Sequence, residues 1–208
     1  MNRSGRAASP DPVAEPDAYQ AMILGHLGDD DPFIVQSGTP AILRALVAGA
    51  GPDLRTPPTP GEWSVVELVG HIADAEIVAS GRYRWILAHD TPPIPGYDQD
   101  LWASRLHHRD ADAHDLLALH EALRTANLAL WRRTPVGDRS RFGIHVERGP
   151  ESYELTFRLV AGHDRFHIDQ ARRTLAQVRV HGLGPEKAEL HEAGSQLVRA
   201  LVADRPEP

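Results

Sequence analysis

Apolar residues with helical spacing, interrupted by breaks rich in proline and glycine, dominate this sequence. The clearest run begins at Ser64, where Glu67 completes a capping-box pattern, and apolar residues then recur every three or four positions. Breaks such as TPPTPG and TPPIPG cannot continue a helix. The long helices predicted on this basis span residues 40–49, 64–88, 112–131 and 150–178. Because alternating strand patterns are scarce, we predict an all-α fold, namely an antiparallel four-helix bundle.

The two ends of the chain are predicted to lie outside this bundle. Residues 1–17 are rich in proline, alanine and charge, and we expect them to form a flexible tail. The bundle domain is expected over residues 18–180, with a short additional helix at 19–27. Residues 181–208 are expected to form a C-terminal helix and a polar tail. The apolar pattern of that helix fits either packing against the bundle or pairing of two chains as a homodimer.

Composition excludes several classes of function. None of the 208 residues is cysteine, so disulfides, zinc–thiolate sites, iron–sulfur clusters and a cysteine nucleophile are all excluded. Nucleic-acid-binding proteins typically carry a basic patch, whereas the formal net charge of this chain is -7. We therefore expect no nucleic-acid partner. Apolar runs stop short of a membrane span and no secretory signal is visible, so we expect no membrane partner and a cytoplasmic location. With 12 histidines present, a metal held by imidazole is the first possibility to consider.

Two histidines four residues apart carry the strongest chemical signal. On a helical wheel, His163 and His167 share one face of the fourth long helix with apolar residues, whereas the arginines of that helix recur on the opposite side. Imidazoles at positions i and i+4 can bind one metal ion. A third ligand has to come from another helix, and His71 borders the apolar stripe of the helix that starts at Ser64. The alternative is that these histidines only pack in the core.

The same residues lie in motifs that resemble the DinB-like superfamily, also called the DinB/YfiT-like metalloenzymes. The resemblance covers roughly residues 38–178 and rests on PGEWSVVELVGHIADAE, the RYRWIL stretch, PGYDQDLWA and HDRFHIDQ, in that order. It implies a four-helix bundle in which His71, His163 and His167 bind a divalent metal. Members that the chain resembles transfer low-molecular-weight thiols such as bacillithiol or mycothiol, one branch isomerises maleylpyruvate with mycothiol, and others are hydrolase-like.

The resemblance and the histidine pattern together lead to a functional hypothesis. We expect a metal-dependent enzyme that transfers a low-molecular-weight thiol to a small electrophile through a three-histidine centre. The expected metal is zinc or nickel, with iron, manganese and cobalt as further possibilities. The expected partners are a small-molecule substrate and a thiol cosubstrate. The alternatives are hydrolysis by water activated at the metal, and a metal-binding stress-response protein without turnover.

Polar residues near the histidines are candidates for supporting roles. Asp98 lies in the loop after the TPPIPG break and is a candidate general base at the pocket mouth. Gln170 shares a face with His167, where it could orient bound water or form a hydrogen bond within the bundle. Asp74 is preferred over Glu67 as the acceptor for the second ring nitrogen of a metal-bound His71, but either could be a solvated carboxylate.

Other polar residues are predicted to face solvent. Asp164 and Asp169 project away from the inner face of the fourth long helix on the wheel. His107, His108 and His114 show no inward periodicity. His145 precedes the fourth helix, where it could reach the cavity entrance, although a surface histidine is the preferred interpretation.

Overall fold

Six helices and three short strands make up the part of the chain described by the computed structural model, residues 10–182. The helices are α1 (Pro16–Leu27), α2 (Pro32–Ala50), α3 (Val65–Ala88), α4 (Gln99–Arg105), α5 (Ala113–Arg133) and α6 (Tyr153–Gly182). Helices α2, α3, α5 and α6 form the predicted four-helix bundle, which confirms the expected fold class. Each of α5 and α6 packs against both α2 and α3, so the consecutive helices α2 and α3 occupy a diagonal of the bundle.

The predicted N-terminal tail and C-terminal helix lie partly or wholly outside the described residues. Helix α1 begins at Pro16, just inside the segment predicted as a tail, and packs against α6. The predicted C-terminal helix at 186–203, with its two possible packing modes, lies outside the described residues, as do residues 1–9.

Helix α2 begins earlier than predicted and passes through Pro40. The Asp31 carboxylate caps its first turn by accepting from the backbone N–H of Phe33 at 2.7 Å. A proline inside a helix cannot donate to the carbonyl four residues before it, which here belongs to Gln36. The Arg124 Nη1 of α5 donates to that carbonyl at 3.2 Å instead. A tertiary contact therefore replaces the missing helical bond, and the prediction that the helix starts at Pro40 was wrong.

A small sheet joins two of the interhelical connections. Strand β1 (Pro93–Ile94) pairs in parallel with β2 (Phe142–His145), and β2 pairs antiparallel with β3 (Gly149–Ser152). Strands this short show too few alternations of apolar and polar residues to be recognised from the sequence. The sheet fixes the position of His145 beside the bundle.

A buried ionic cluster ties α5 to α3 and α6. Arg124, which is 1% exposed, contacts Glu76 at 2.8 Å and Asp164 at 2.5 Å. The hydroxyl of Thr39 also donates to Asp164 at 2.8 Å. Burial alone would raise the pKa of Asp164, but the adjacent Arg124 guanidinium reverses the effect and lowers that pKa. The prediction that Asp164 faces solvent was wrong, because α6 is covered by α1, α2 and α3 and not by one neighbour alone.

One stretch of the described chain meets the length and hydropathy criteria for a membrane span. It runs from Pro32 to Arg55, covers α2 and the following short 3-10 helix, and contains an 18-residue window with a mean hydropathy of 1.3. In the structure its inward residues Leu43 and Ala50 are fully buried in the bundle, beside the buried amide of Gln36. A share of 33% of the window is buried, and α2 packs against α5 and α6 in the bundle.

The closest approach of α1 to α6 occurs at Gly162. A Cβ atom at this position would lie 2.1 Å from the backbone carbonyl oxygen of Ile23, which cannot rotate away. We therefore expect Gly162→Ala to destabilise the protein by roughly 1–3 kcal/mol, despite the higher helix propensity of alanine. Urea denaturation followed by circular dichroism measures this change. The control is Gly49→Ala in α2, which meets nothing within 4 Å and should stabilise the protein by about 0.5–1 kcal/mol. Equal effects of the two substitutions would contradict the close contact.

Candidate metal centre

Three histidine side chains from two helices meet at one point of the bundle. The Nε2 atom of His71, on α3, lies 3.0 Å from Nε2 of His163 and 3.2 Å from Nε2 of His167, both on α6. His71 and His167 are 2% and 3% exposed, respectively, and His163 is half-buried. Among residues 10–182 they form the one group of three potential metal ligands, and no carboxylate joins it. The structure thus brings together the three histidines that the sequence analysis selected.

The spacing of the three nitrogens fits a bound divalent ion. Imidazole nitrogens about 2.0–2.1 Å from a tetrahedral Zn²⁺ lie about 3.3–3.4 Å from one another, close to the separations seen here. Burial lowers the pKa of His163 to about 4, so its imidazole is neutral at physiological pH and can offer a lone pair. Imidazole nitrogens that converge on one point have the donor chemistry of a site for a divalent transition-metal ion.

The side chain of Gln170 forms a hydrogen bond with a histidine of this group and does not line the cavity. Its Oε1 atom lies 2.9 Å from Nδ1 of His167. Because an amide oxygen can only accept, Nδ1 must carry the proton, and the lone pair of His167 is then on Nε2. Gln170 therefore orients the ring of His167 towards His71 and His163. Of the two roles considered from sequence, this geometry matches the hydrogen bond within the bundle.

The loop after β1 covers His71 with aromatic rings, but Asp98 serves the backbone. The ring of Tyr97 lies 6.5 Å from the ring of His71 and 4.8 Å from that of Trp102, between ring centroids. The Asp98 carboxylate caps α4 by accepting from the backbone N–H of Leu101 at 2.9 Å. Tyr97 lines the cavity beside the histidines, and Asp98 does not. The structure thus does not bring Asp98 to the other candidate site residues.

The two carboxylates considered as partners of His71 have other hydrogen-bond partners. Asp74 lies 2.6 Å from Nε2 of His108, and both residues are buried. Glu67 accepts from the N–H and the hydroxyl of Ser64 at 2.8 and 2.6 Å, which confirms the capping box. The prediction that His108 is solvated was wrong, because the short helix α4 turns the following segment back onto α3. A Cβ at Gly70 would clash with the His108 ring, which shows how closely this segment approaches the helix.

A cavity of about 130 Å³ opens beside the three histidines. His71 and His163 form part of its wall, and the side chains of Tyr97, Arg82 and His145 form another part. His145 is only 1% exposed, so its interpretation as a surface residue was wrong. Its Nε2 lies 3.0 Å from Nη2 of Arg82, and burial together with Arg148 and Arg82 lowers its pKa to about 4.

The sequence analysis missed Arg82, although a signal for it exists. Arg82 follows His71 by eleven residues in α3, and eleven residues at about 100° each return to within about 20° of the same helix face. Both side chains consequently line the same cavity. A charged residue on the same helix face as a candidate ligand is the pattern that would have identified Arg82.

Comparison with known proteins identifies the family. The sequence model of the DinB superfamily matches residues 37–171, about two thirds of the chain. The chain belongs to the DinB superfamily. The matched range contains His71, His163 and His167, which confirms the resemblance noted from the motifs.

Relatives of this DinB superfamily member carry names that refer to metal-dependent hydrolysis. A protein of Geobacillus thermodenitrificans named "Putative metal-dependent hydrolase" is 38% identical over 40% of this chain and 48% of its own length. A protein of Bacillus licheniformis with the same type of name is 30% identical over 62% of this chain and 74% of its own length. The match to the first of these relatives thus spans about half of its length.

A solved structure shows the same fold. YfiT from Bacillus subtilis, described as "a probable metal-dependent hydrolase with an unusual four-helix bundle topology", superposes with a TM-score of 0.63. The alignment covers 88% of this chain and 95% of YfiT at 22% sequence identity. At this identity the likeness concerns the fold alone.

Proposed function

We propose that this protein is a metal-dependent enzyme that transfers a low-molecular-weight thiol to a small electrophile. The observation that supports this most directly is the convergence of His71, His163 and His167 at one point, with His71 and His163 in the wall of a cavity. When bound there, a divalent ion would lower the pKa of a coordinated thiol or water. Zinc or nickel suits three imidazoles best, and iron, manganese and cobalt are the further candidates.

The donor set favours a thiol over water as the nucleophile. A free thiol has a pKa of about 8.5, far below the value of about 15.7 for water, so it needs less assistance to ionise. Helical zinc hydrolases of the His-Glu-x-x-His type supply a glutamate as general base beside their ligands. No carboxylate between residues 10 and 182 joins the three histidines. The chain has no cysteine, so the sulfur would have to come from a cosubstrate.

The protein's own groups hold and shield the reacting molecules. Gln170 keeps the ring of His167 turned with Nε2 towards the other two ligands. Trp63 and Tyr97 stack around His71 and restrict the movement of its ring, with ring centroids 5.1 and 6.5 Å away. The cavity beside the histidines accepts the electrophile and limits its contact with water.

Hydrolysis is the second candidate function, and the names of the relatives favour it. Both candidates require the metal and the same cavity, and they differ in whether a thiol is consumed. Both candidates place the protein among the enzymes of small-molecule metabolism. We infer a cytoplasmic location, because low-molecular-weight thiols are kept reduced in the cytoplasm.

A comparison of reactions tests the proposal. Zinc- and nickel-loaded protein is incubated with monochlorobimane and, separately, with bacillithiol, mycothiol, glutathione or cysteine as the thiol. We expect metal-dependent formation of the bimane conjugate with at least one thiol, at a rate well above that of the metal-free protein. Hydrolysis of ester or amide substrates in the absence of thiol would instead support the second candidate. A protein that binds metal but does neither would contradict both and support a metal-binding role without turnover.

A further inference from the structure

The guanidinium of Arg82 lies in the cavity wall without a counter-ion. Its Nη2 donates to the carbonyl of Pro95 at 2.9 Å and to Nε2 of His145 at 3.0 Å. Its Nε is buried and has no hydrogen-bond partner within the described part of the chain. No carboxylate of residues 10–182 lies within ion-pair distance of Arg82. The side chain thus brings a positive charge and unused donors to the cavity.

The neighbouring groups compensate the charge of Arg82 only in part. Arg148, on the same side of the cavity, is neutralised by Glu151, whose Oε2 accepts from Nε and Nη2 of Arg148 at 2.9 and 2.6 Å. His145 has a pKa of about 4 and is therefore neutral at physiological pH. Burial first and Arg148 second lower the pKa of Arg82 itself, and Glu151 opposes this shift in part. A partly buried cation without a directly paired carboxylate is stabilised by an anion that enters the cavity.

The rest of the cavity limits the kind of anion. Its volume of about 130 Å³ is close to the roughly 150 Å³ of a cavity that binds benzene, so the enclosed part of a ligand is small. Apolar side chains form much of the lining, namely Ile23, Ala75, Val78, Ala79, Leu159 and Val160. The Glu151 carboxylate is already paired with Arg148, but the carboxylate of Glu147 also lines the cavity and disfavours a doubly charged group such as a phosphate monoester. The chemistry that fits is one negative charge on a short apolar body.

We propose that Arg82 binds the carboxylate of the substrate, so that the protein acts on short monocarboxylic acids. The carboxylate would contact Arg82 at one part of the cavity, while the apolar body directs the reactive carbon towards His71 and His163. This inference rests on the proposed function and adds the class of electrophile to it. Arg82, which lies three helical turns after His71 on α3, is thereby a residue that determines substrate specificity.

Binding of an isosteric pair of ligands tests the inference without catalysis. Butanoate and butanamide have nearly the same shape, but only butanoate is charged at neutral pH. Zinc-loaded protein is titrated with each ligand by calorimetry or ligand-observed NMR. We expect butanoate to bind about tenfold to a hundredfold more tightly than butanamide. Equal affinities for the two ligands would overturn the inference whatever the behaviour of any variant.

Substitution of Arg82 separates its contribution from that of the metal, which can itself bind a carboxylate. Arg82→Met should weaken butanoate binding about tenfold or more and leave butanamide binding and zinc content unchanged. Arg82→Lys should retain part of the preference for butanoate. The control is Arg172→Met, which removes one exposed arginine on α6 and should leave both affinities unchanged. Unchanged butanoate binding by Arg82→Met would reject the inference, whereas loss of zinc from the wild type would reject the proposed function.

Discussion

Replacing His167 or His163 by alanine is expected to remove the bound metal. Each substitution leaves two imidazoles, which cannot hold an ion against water as three do, so the variants should retain less than about a tenth of the wild-type metal content. Metal is measured by elemental analysis after loading with zinc and gel filtration. Activity in the thiol-transfer assay should be lost in parallel, since both candidate functions require the ion.

Two further variants make this experiment specific. His114→Ala removes an exposed histidine at the start of α5 and should leave the metal content at the wild-type level. Gln170→Leu should weaken the affinity for zinc about 10- to 100-fold, because the His167 ring loses the acceptor that fixes its tautomer. If the two alanine variants kept one metal per chain, the three-histidine centre would be rejected. A normal affinity of Gln170→Leu would reject only the role given to Gln170.

The second large effect is expected at Arg124. Arg124→Met should lower the free energy of unfolding by about 3–5 kcal/mol, because it leaves the buried carboxylates of Glu76 and Asp164 without a counter-ion. It also leaves the Gln36 carbonyl, which Pro40 cannot satisfy, without its donor. Urea denaturation of wild type and variant measures the difference. This loss would be a large fraction of the stability of an average domain.

An exposed ion pair provides the matched control. Arg44 and Glu121 are paired across α2 and α5 with half of each side chain exposed, so Arg44→Met should change the free energy of unfolding by less than about 1 kcal/mol. Combining Arg124→Met with Glu76→Gln and Asp164→Asn should recover part of the stability, because the stranded charges are then removed. Similar small effects of Arg124→Met and Arg44→Met would show that the buried cluster is not energetically important.

The parts of the site that could be predicted from sequence are those set by local geometry. The i, i+4 spacing of His163 and His167 places both rings on one helix face whatever the surroundings. The position of His71 on the apolar stripe and the capping box at Ser64 are likewise properties of a single helix. Such features follow from the helical period, so the three histidines could be selected before their convergence was seen.

The features that sequence could not predict depend on contacts between distant segments. Helix α2 runs through Pro40 because Arg124, which lies 88 residues away from Gln36, donates to the freed carbonyl. Asp164 is buried because α6 has neighbours on three sides, whereas a helical wheel assumes a single inner face. His108 is buried because α4 folds the chain back onto α3 at Gly70. In each case the local pattern led to a wrong prediction, because contacts with distant segments determine the outcome.

The central position of α6 affects how the protein can fold during its synthesis. This helix is the last of those described, yet it packs against α1, α2 and α3 and supplies His163, His167 and Asp164. A nascent chain that has emerged from the ribosome only as far as α5 therefore lacks two of the three imidazoles and one of the two carboxylates that face Arg124. The earlier helices cannot complete their native packing until α6 has left the exit tunnel, so the bundle can form only after α6 has been synthesised.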